Sequence, residues 1–163
     1  MNTHTAVSDL ADLLLSQGLC LATAESCTGG LIAAACTDLA GSSAWFERGF
    51  VTYSNAAKTE LLGVPEALIN EHGAVSQAVV CAMATGALQR SRAQVAVAVT
   101  GVAGPGGGSR DKPVGTVWLG WVTPAGLVSE IRQFDGDRQA VRAATVDHAL
   151  KKLVSLLRQE HAR

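Results

Sequence analysis

Charge is sparse in this chain: Asp, Glu, Lys and Arg make up 17% of its 163 residues, and 13 Lys plus Arg against 14 Asp plus Glu leave a net charge of −1. No basic stripe is present to neutralise a run of phosphates, so nucleic acid is not an expected partner. Cys20, Cys27, Cys36 and Cys81 form no C-x-x-C pair, and His4, His72, His148 and His161 keep no ligand spacing with them. A structural zinc site is therefore not expected. The apolar runs are too short to span a bilayer, and Met1-Asn2-Thr3-His4-Thr5 has neither a basic flank nor an apolar core of signal-peptide type. These features predict a cytoplasmic protein with reduced thiols and no membrane partner.

Apolar residues, by contrast, make up 48% of the chain. A chain of this length can bury one substantial core without a staple, so a single domain over residues 1–163 is expected. The thin polar surface predicts self-association, as a homodimer or a higher homo-oligomer.

Hydrophobic spacing predicts the order of elements. Val7, Leu10 and Leu14 repeat at helical intervals before Gly18, and Leu19 to Ala22 reads as a strand covered on both faces. Leu31, Ile32, Ala35, Cys36 and Leu39 mark a second helix that ends at Gly41-Ser42-Ser43, and a strand follows over Phe46 to Tyr53. Asn55 through Gly63 is helical in pattern, with another short helical turn over Pro65 to Asn70. Ser76 is placed to cap a helix carrying Val79, Val80, Met83, Ala84, Ala87 and Leu88, and Val95 to Val99 reads as a buried strand. Thr116 to Val122 and Leu127 to Phe134 flank Thr123-Pro124-Ala125-Gly126 as an antiparallel hairpin. Asp135-Gly136-Asp137 precedes a last helix with Val146, Leu150, Leu153 and Leu157 as its buried stripe. The alternation predicts an α/β fold: a three-layer α/β/α sandwich around a mixed sheet.

Chemistry concentrates at Leu21-Ala22-Thr23-Ala24-Glu25-Ser26-Cys27-Thr28-Gly29-Gly30, where an apolar run gives way to a helical pattern. A helix start leaves N–H groups unpaired and carries partial positive charge, so it can hold a phosphate, a carboxylate or a developing oxyanion. Ser26 is expected beside such donors, although Ser26 or Thr28 reads equally as a helix cap, with the glycines letting the chain turn. A serine nucleophile needs a base within reach. None of the four histidines has a triad context. Lys58, just past a strand end and five residues after Tyr53, is the better candidate. Its pKa would have to fall from about 10.4 to roughly 7 to 8 through burial or a neighbouring positive charge. Tyr53 can relay the proton or hold the lysine; the same two residues also read as a helix-surface lysine and a strand aromatic. Cys27 competes as nucleophile, because a helix N-terminus lowers a thiol pKa, and otherwise it packs as a small apolar residue, the role expected of Cys20, Cys36 and Cys81.

The loop Thr100-Gly101-Val102-Ala103-Gly104-Pro105-Gly106-Gly107-Gly108-Ser109 offers unobstructed backbone N–H groups after a buried strand, where open α/β sheets bind ligands. It lacks the G-K-[ST] of a Walker A loop and the G-x-G-x-x-G fingerprint, and it reads alternatively as a mobile lid or a set of tight turns. Arg138 and Arg142 either clamp a phosphate or sit as solvated helix charges.

Taken together, Ala24-Glu25-Ser26-Cys27-Thr28-Gly29-Gly30, Gly41-Ser42-Ser43, Gly49-Phe50-Val51-Thr52-Tyr53-Ser54-Asn55, Lys58, Gly73-Ala74-Val75-Ser76, Thr100-Gly101-Val102-Ala103-Gly104-Pro105-Gly106-Gly107 and Lys112-Pro113-Val114-Gly115-Thr116-Val117 resemble the C-terminal domain of the competence-damage-inducible (CinA) family in its stand-alone form. The resemblance covers nearly the whole chain and implies a mixed sheet of five strands. It also implies a nicotinamide-nucleotide amidase, which converts nicotinamide mononucleotide and water to nicotinate mononucleotide and ammonia in pyridine-nucleotide salvage. On that likeness Ser26 is the nucleophile, and Tyr53 and Lys58 complete a Ser-Tyr-Lys arrangement. Backbone N–H groups near Thr28 and Gly29 hold the oxyanion, Gly30 joins them in binding substrate, and Thr100, Gly101, Ala103 and Gly104 with Arg138 or Arg142 grip the ribose phosphate. No metal or organic cofactor is required. The alternative is a catalytically silent paralogue that keeps the pocket and acts as a nucleotide-binding or regulatory module.

Overall fold

The helical repeat of 3.6 residues puts Val7, Leu10 and Leu14 on one face. In the structure, a computed structural model that describes residues 2–163, they form the buried side of α1 (Thr3–Gln17). Asn2 caps its start and Gly18, at φ 67°, ends it. Strand β1 (Leu21–Glu25) begins later than the expected Leu19, because the Leu19 N–H still donates to the Leu14 carbonyl in the closing turn of α1.

Helix α2 (Leu31–Thr37) stops short of Leu39, and Gly41-Ser42-Ser43 starts a separate 3-10 turn over Ser42–Ala44. Strand β2 (Phe46–Val51) ends two residues before the expected Tyr53, since the Thr52 and Tyr53 carbonyls turn to Lys58 instead of a ladder. Helix α3 (Asn55–Leu62) is capped by Ser54, whose Oγ accepts from the Ala57 N–H. Helix α4 (Glu66–His72) follows Pro65 and runs two residues past the expected Asn70. Ser76 caps α5 (Gln77–Gln89) as its position suggested. Then come β3 (Val95–Gly101), β4 (Thr116–Thr123), β5 (Gly126–Gln133) and α6 (Arg138–His161), the last capped by Asp137.

The sheet order is β2-β1-β3-β4-β5, with β2, β1 and β3 parallel and β4 and β5 added antiparallel as a hairpin. Helices α1, α2 and α6 cover one face and α3, α4 and α5 the other, so the expected three-layer sandwich with a mixed five-stranded sheet is what forms. Strand β3 shows how the layers are spaced. Its side chains alternate, Val95, Val97 and Val99 facing the α1/α6 layer, Ala96 and Ala98 facing α5. The alanines let α5 lie close to the sheet. Gly86 of α5 carries the closeness one layer further, because a Cβ there would fall 2.0 Å from the Leu62 carbonyl oxygen of α3. Gly86→Ala therefore forces α3 away from α5. We expect it to cost about 1–3 kcal/mol of stability, measured by urea denaturation, and to displace the helix that carries Lys58.

Candidate active site

Strands β2, β1 and β3 run in parallel to a common end, where Glu25 is in register with Val51 on one side and Val99 on the other. Residues leaving these strand ends meet in one place, which is where an open α/β sheet offers a binding crevice. Successive residues of an extended chain point to opposite faces, and this separates Glu25 from Ser26.

Glu25 turns toward α2. Fully buried, it accepts hydrogen bonds from Thr28 Oγ1 at 2.5 Å, the Ile32 N–H at 2.8 Å and the Ala33 N–H at 3.0 Å. The Ile32 and Ala33 donors of the helix start are therefore spent on Glu25 and not offered to a ligand at Ser26. Neither Ser26 nor Thr28 is the cap; Gly30 occupies the cap position, at φ 109°, and Glu25 satisfies the helix from inside the sheet. The Gly29 N–H is also engaged, donating to the Ser26 carbonyl at 3.0 Å. The N–H groups of Cys27 and Thr28 donate to no acceptor residue elsewhere among the described residues. A lone acid closing an otherwise apolar strand was the sequence signal for Glu25, and its role as a cap was missed.

Ser26 turns to the other side, toward α3. Lys58 lies on the fourth residue of α3, where side chains lean toward the helix start. Its Nζ lies 3.0 Å from Ser26 Oγ, 3.1 Å from the Thr52 carbonyl oxygen and 3.2 Å from that of Tyr53. Lys58 is 1% exposed, so it is not the helix-surface lysine of the alternative reading. No carboxylate pairs with it among the described residues. Burial pushes its pKa below the usual lysine value of 10.5. Nζ donates to the Thr52 and Tyr53 carbonyls, reaches that of Ser54 at 3.5 Å, and in its neutral form would have a lone pair to turn to the Ser26 hydroxyl.

Tyr53 touches Lys58 through its carbonyl, not its phenol. Tyr53 is 59% exposed, and its Oη accepts from Arg138 Nη2 at 3.0 Å. Arg138 also donates from Nη1 to the Gly104 carbonyl at 2.8 Å, which ties the glycine loop, the β2–α3 connection and α6 together. Arg142 is directed elsewhere, with Nε donating to the Cys27 carbonyl and Nη2 to that of Thr28, both at 3.1 Å. Thr100 Oγ1 donates to the Ala74 carbonyl and holds the α4–α5 connection against β3.

The resulting cavity, about 220 Å3, is lined by Ser26, Lys58, Tyr53, Thr100, Gly101, Ala103 and Arg138, with Cys27, Asn55, Ala74 and Val75 completing it. Among the residues singled out from sequence, Thr28, Gly29, Gly30, Gly104 and Arg142 lie outside this lining. Asn55, Ala74 and Val75 were not foreseen as its walls. A neighbouring cavity of about 470 Å3 shares Ala103 and Arg138 and adds Pro105 and Val114.

The thiol reading is corrected as well. Cys27 is 6% exposed, and burial pushes its pKa up to about 11, with the negative charge of Glu25 adding to the rise. A helix start whose N–H groups are taken by a carboxylate does not depress a thiol. Cys36 is buried and raised to about 12, whereas Cys20 and Cys81 are half-buried, not fully packed as expected. Among the described residues no cluster of His, Cys, Asp and Glu is placed to hold a metal ion, and no helix is long and apolar enough to cross a membrane.

Fold and site together define a three-layer α/β/α domain with a buried serine–lysine pair at the ends of its parallel strands. The chain belongs to the family of the CinA C-terminal domain, whose model matches residues 3–157. Among curated proteins it is 64% identical over 134 residues to the nicotinamide-nucleotide amidohydrolase PncC of Pseudomonas putida, covering 82% of this chain and 84% of that one. It is 55% identical over 141 residues to the protein of the same name from Escherichia coli K12, covering 86% of each. Among solved structures, the competence/damage inducible protein CihA from Agrobacterium tumefaciens superposes with a TM-score of 0.92 at 48% identity, covering 96% of both chains.

The raised thiol pKa makes a checkable distinction between cysteines. At pH 7.5 a haloacetamide should label the half-buried Cys20 and Cys81 of the folded protein at least ~10-fold faster than Cys27, as read by peptide mass mapping. Fast labelling of Cys27 would contradict the site described above.

Proposed function

We propose that this protein is a nicotinamide-nucleotide amidohydrolase that hydrolyses the carboxamide of nicotinamide mononucleotide through a serine acyl-enzyme. The observation that carries this reading is the 3.0 Å approach of Lys58 Nζ to Ser26 Oγ, with the amine buried and unpaired with any carboxylate. The names of the relatives supply the substrate.

In the first half-reaction Ser26 Oγ bonds to the carboxamide carbon as its proton passes to Lys58 Nζ. The carbonyl oxygen becomes an oxyanion within reach of the Cys27 and Thr28 N–H groups, which donate to no other residue among those described. Collapse of the adduct breaks the C–N bond. The departing nitrogen takes the proton back from Lys58 and leaves as ammonia. In the second half-reaction Lys58 takes a proton from water, the hydroxide attacks the acyl carbon, and the Ser26–carbon bond breaks with return of the proton to Ser26. Nicotinate mononucleotide leaves. The scheme routes each proton through Lys58 and calls on no metal or organic cofactor.

Ala74, Val75 and Ala103 supply apolar walls of a size suited to the pyridine ring. Arg138, shared with the larger cavity alongside, stands where the ribose phosphate would extend, and the Gly104 loop borders the same place. Arg142 acts in this scheme by holding the Cys27 carbonyl, and with it the Thr28 N–H of the same peptide, while its second bond fixes the Thr28 carbonyl. Tyr53 contributes its carbonyl to Lys58 and its phenol to Arg138. The same reading places the reaction in cytoplasmic pyridine-nucleotide salvage. The exposed Leu127, Val128 and Ile131 on the edge strand β5 support a homo-oligomer.

Ammonia release from nicotinamide mononucleotide by the purified protein tests the reading. Ser26→Ala and Lys58→Met, each confirmed folded by circular dichroism, should lose at least about 10³-fold in kcat. Activity that survives both substitutions would remove the mechanism. Lys58 must be uncharged to accept the serine proton, so kcat/KM should rise with pH and level off at the lysine's depressed pKa, with the midpoint of the rise below 10.5. A midpoint at or above 10.5, or one that does not move when the groups around Lys58 are changed, would place the base elsewhere.

A further inference from the structure

The mechanism leaves one polar side chain at the cavity without work, that of Asn55. It is the first residue of α3, three before Lys58, and residues at that spacing share a helix face with Cβ atoms about 5–6 Å apart. It lines the catalytic cavity with Ser26 and Lys58, and it also lines a second cavity of about 280 Å3 between α3 and α4. Its side-chain amide makes no hydrogen bond among the described residues. The polar groups around it are engaged: Ser54 Oγ caps α3, Thr100 Oγ1 holds the Ala74 carbonyl, and Arg138 holds Tyr53 and Gly104.

We infer that Asn55 Oδ1 accepts a hydrogen bond from the NH2 group of the substrate carboxamide and makes the site selective for amides over the corresponding esters. This rests on the amidohydrolase reading above and deepens it. A primary carboxamide presents two N–H donors on the atom that departs. An ester presents none there, and neither does the carboxylate product. A site that hydrogen-bonds a substrate N–H rejects the analogue lacking it, because its own acceptor is then left unpaired. Holding the leaving nitrogen beside Asn55 also keeps it next to Lys58, which must return a proton to it. The product carboxylate would meet an acceptor with an acceptor, which favours its release.

The test compares nicotinamide mononucleotide with the methyl ester of nicotinate mononucleotide in the full-length protein. For Asn55→Ala we expect kcat/KM for the amide to fall about 10- to 100-fold while the ester changes less than about threefold, so that the amide-to-ester preference collapses. Asn55→Asp keeps the acceptor and should keep most of the preference. Its added negative charge beside Lys58 should also move the acid limb of the pH profile to higher pH. Among the described residues the other titratable or charged groups lining this cavity are Cys27 from the β1–α2 turn, Tyr53 from the β2–α3 connection and Arg138 from α6, with Glu60 and Glu66 lining the α3–α4 cavity. Equal losses for amide and ester in Asn55→Ala, or no loss for either, would overturn the inference while leaving the amidohydrolase reading standing. Failure of the unsubstituted protein to act on either compound would overturn both.

Discussion

A primary amine held out of water against a hydroxyl is the constraint around which the rest of this domain is arranged. Burial among the Thr52 and Tyr53 carbonyls and Ser26, with no carboxylate paired to it among the described residues, favours the uncharged form of Lys58. A carboxylate nearby would favour the ammonium, which cannot accept a proton. The chain contains such a carboxylate one residue from the nucleophile, in Glu25. The alternation of an extended strand turns it to the opposite face, where three donors of the β1–α2 junction occupy it. One buried carboxyl thus organises the turn that presents Ser26, and the pleat keeps its charge away from the base.

Burial of Lys58 in turn depends on how closely α3 is held to the sheet. The connection is indirect, through α5, whose glycine at position 86 admits the Leu62 carbonyl and whose contact with β3 is made over alanines. Small side chains in this layer are what allow a lysine four residues into α3 to reach the end of β1. The other layer, built from Leu10, Leu14, Ile32, Leu150 and Leu153, is bulkier and fixes α6, and with it Arg138 and Arg142. The two arginines then act as ties at the cavity: one joins the glycine loop to the β2–α3 connection, the other holds the carbonyls of the serine turn.

Much of the fold was legible in the sequence because periodicity is a local property. The 3.6 repeat in α1, α5 and α6, the apolar run of β3 and the turn at Pro124-Ala125 each declared their elements, and helix–strand alternation led to the layered architecture. Errors fell at ends, where local pattern competes with distant partners. Leu19 stayed with α1 because its N–H closes that helix, and Thr52 and Tyr53 left β2 because their carbonyls serve a lysine. The site was legible in its residue types, Ser26 and Lys58 above all, but their partners were misjudged wherever one carboxylate changed the account. Glu25 took the Ile32 and Ala33 donors of the helix start, and it helped raise the Cys27 thiol that competed with Ser26 as nucleophile.

The sequence by itself determined which segments become helices and strands, and which side chains carry a hydroxyl, an amine or a guanidinium near their ends, since these follow from spacing over a few residues. Only the tertiary structure decided that residues 26 and 58 touch, that the amine is buried, that burial pushes the Cys27 thiol up, and that Arg142 serves the backbone while Arg138 faces the cavity. Such properties depend on distance and on exclusion of water, and both are set by packing between layers that are remote in the chain.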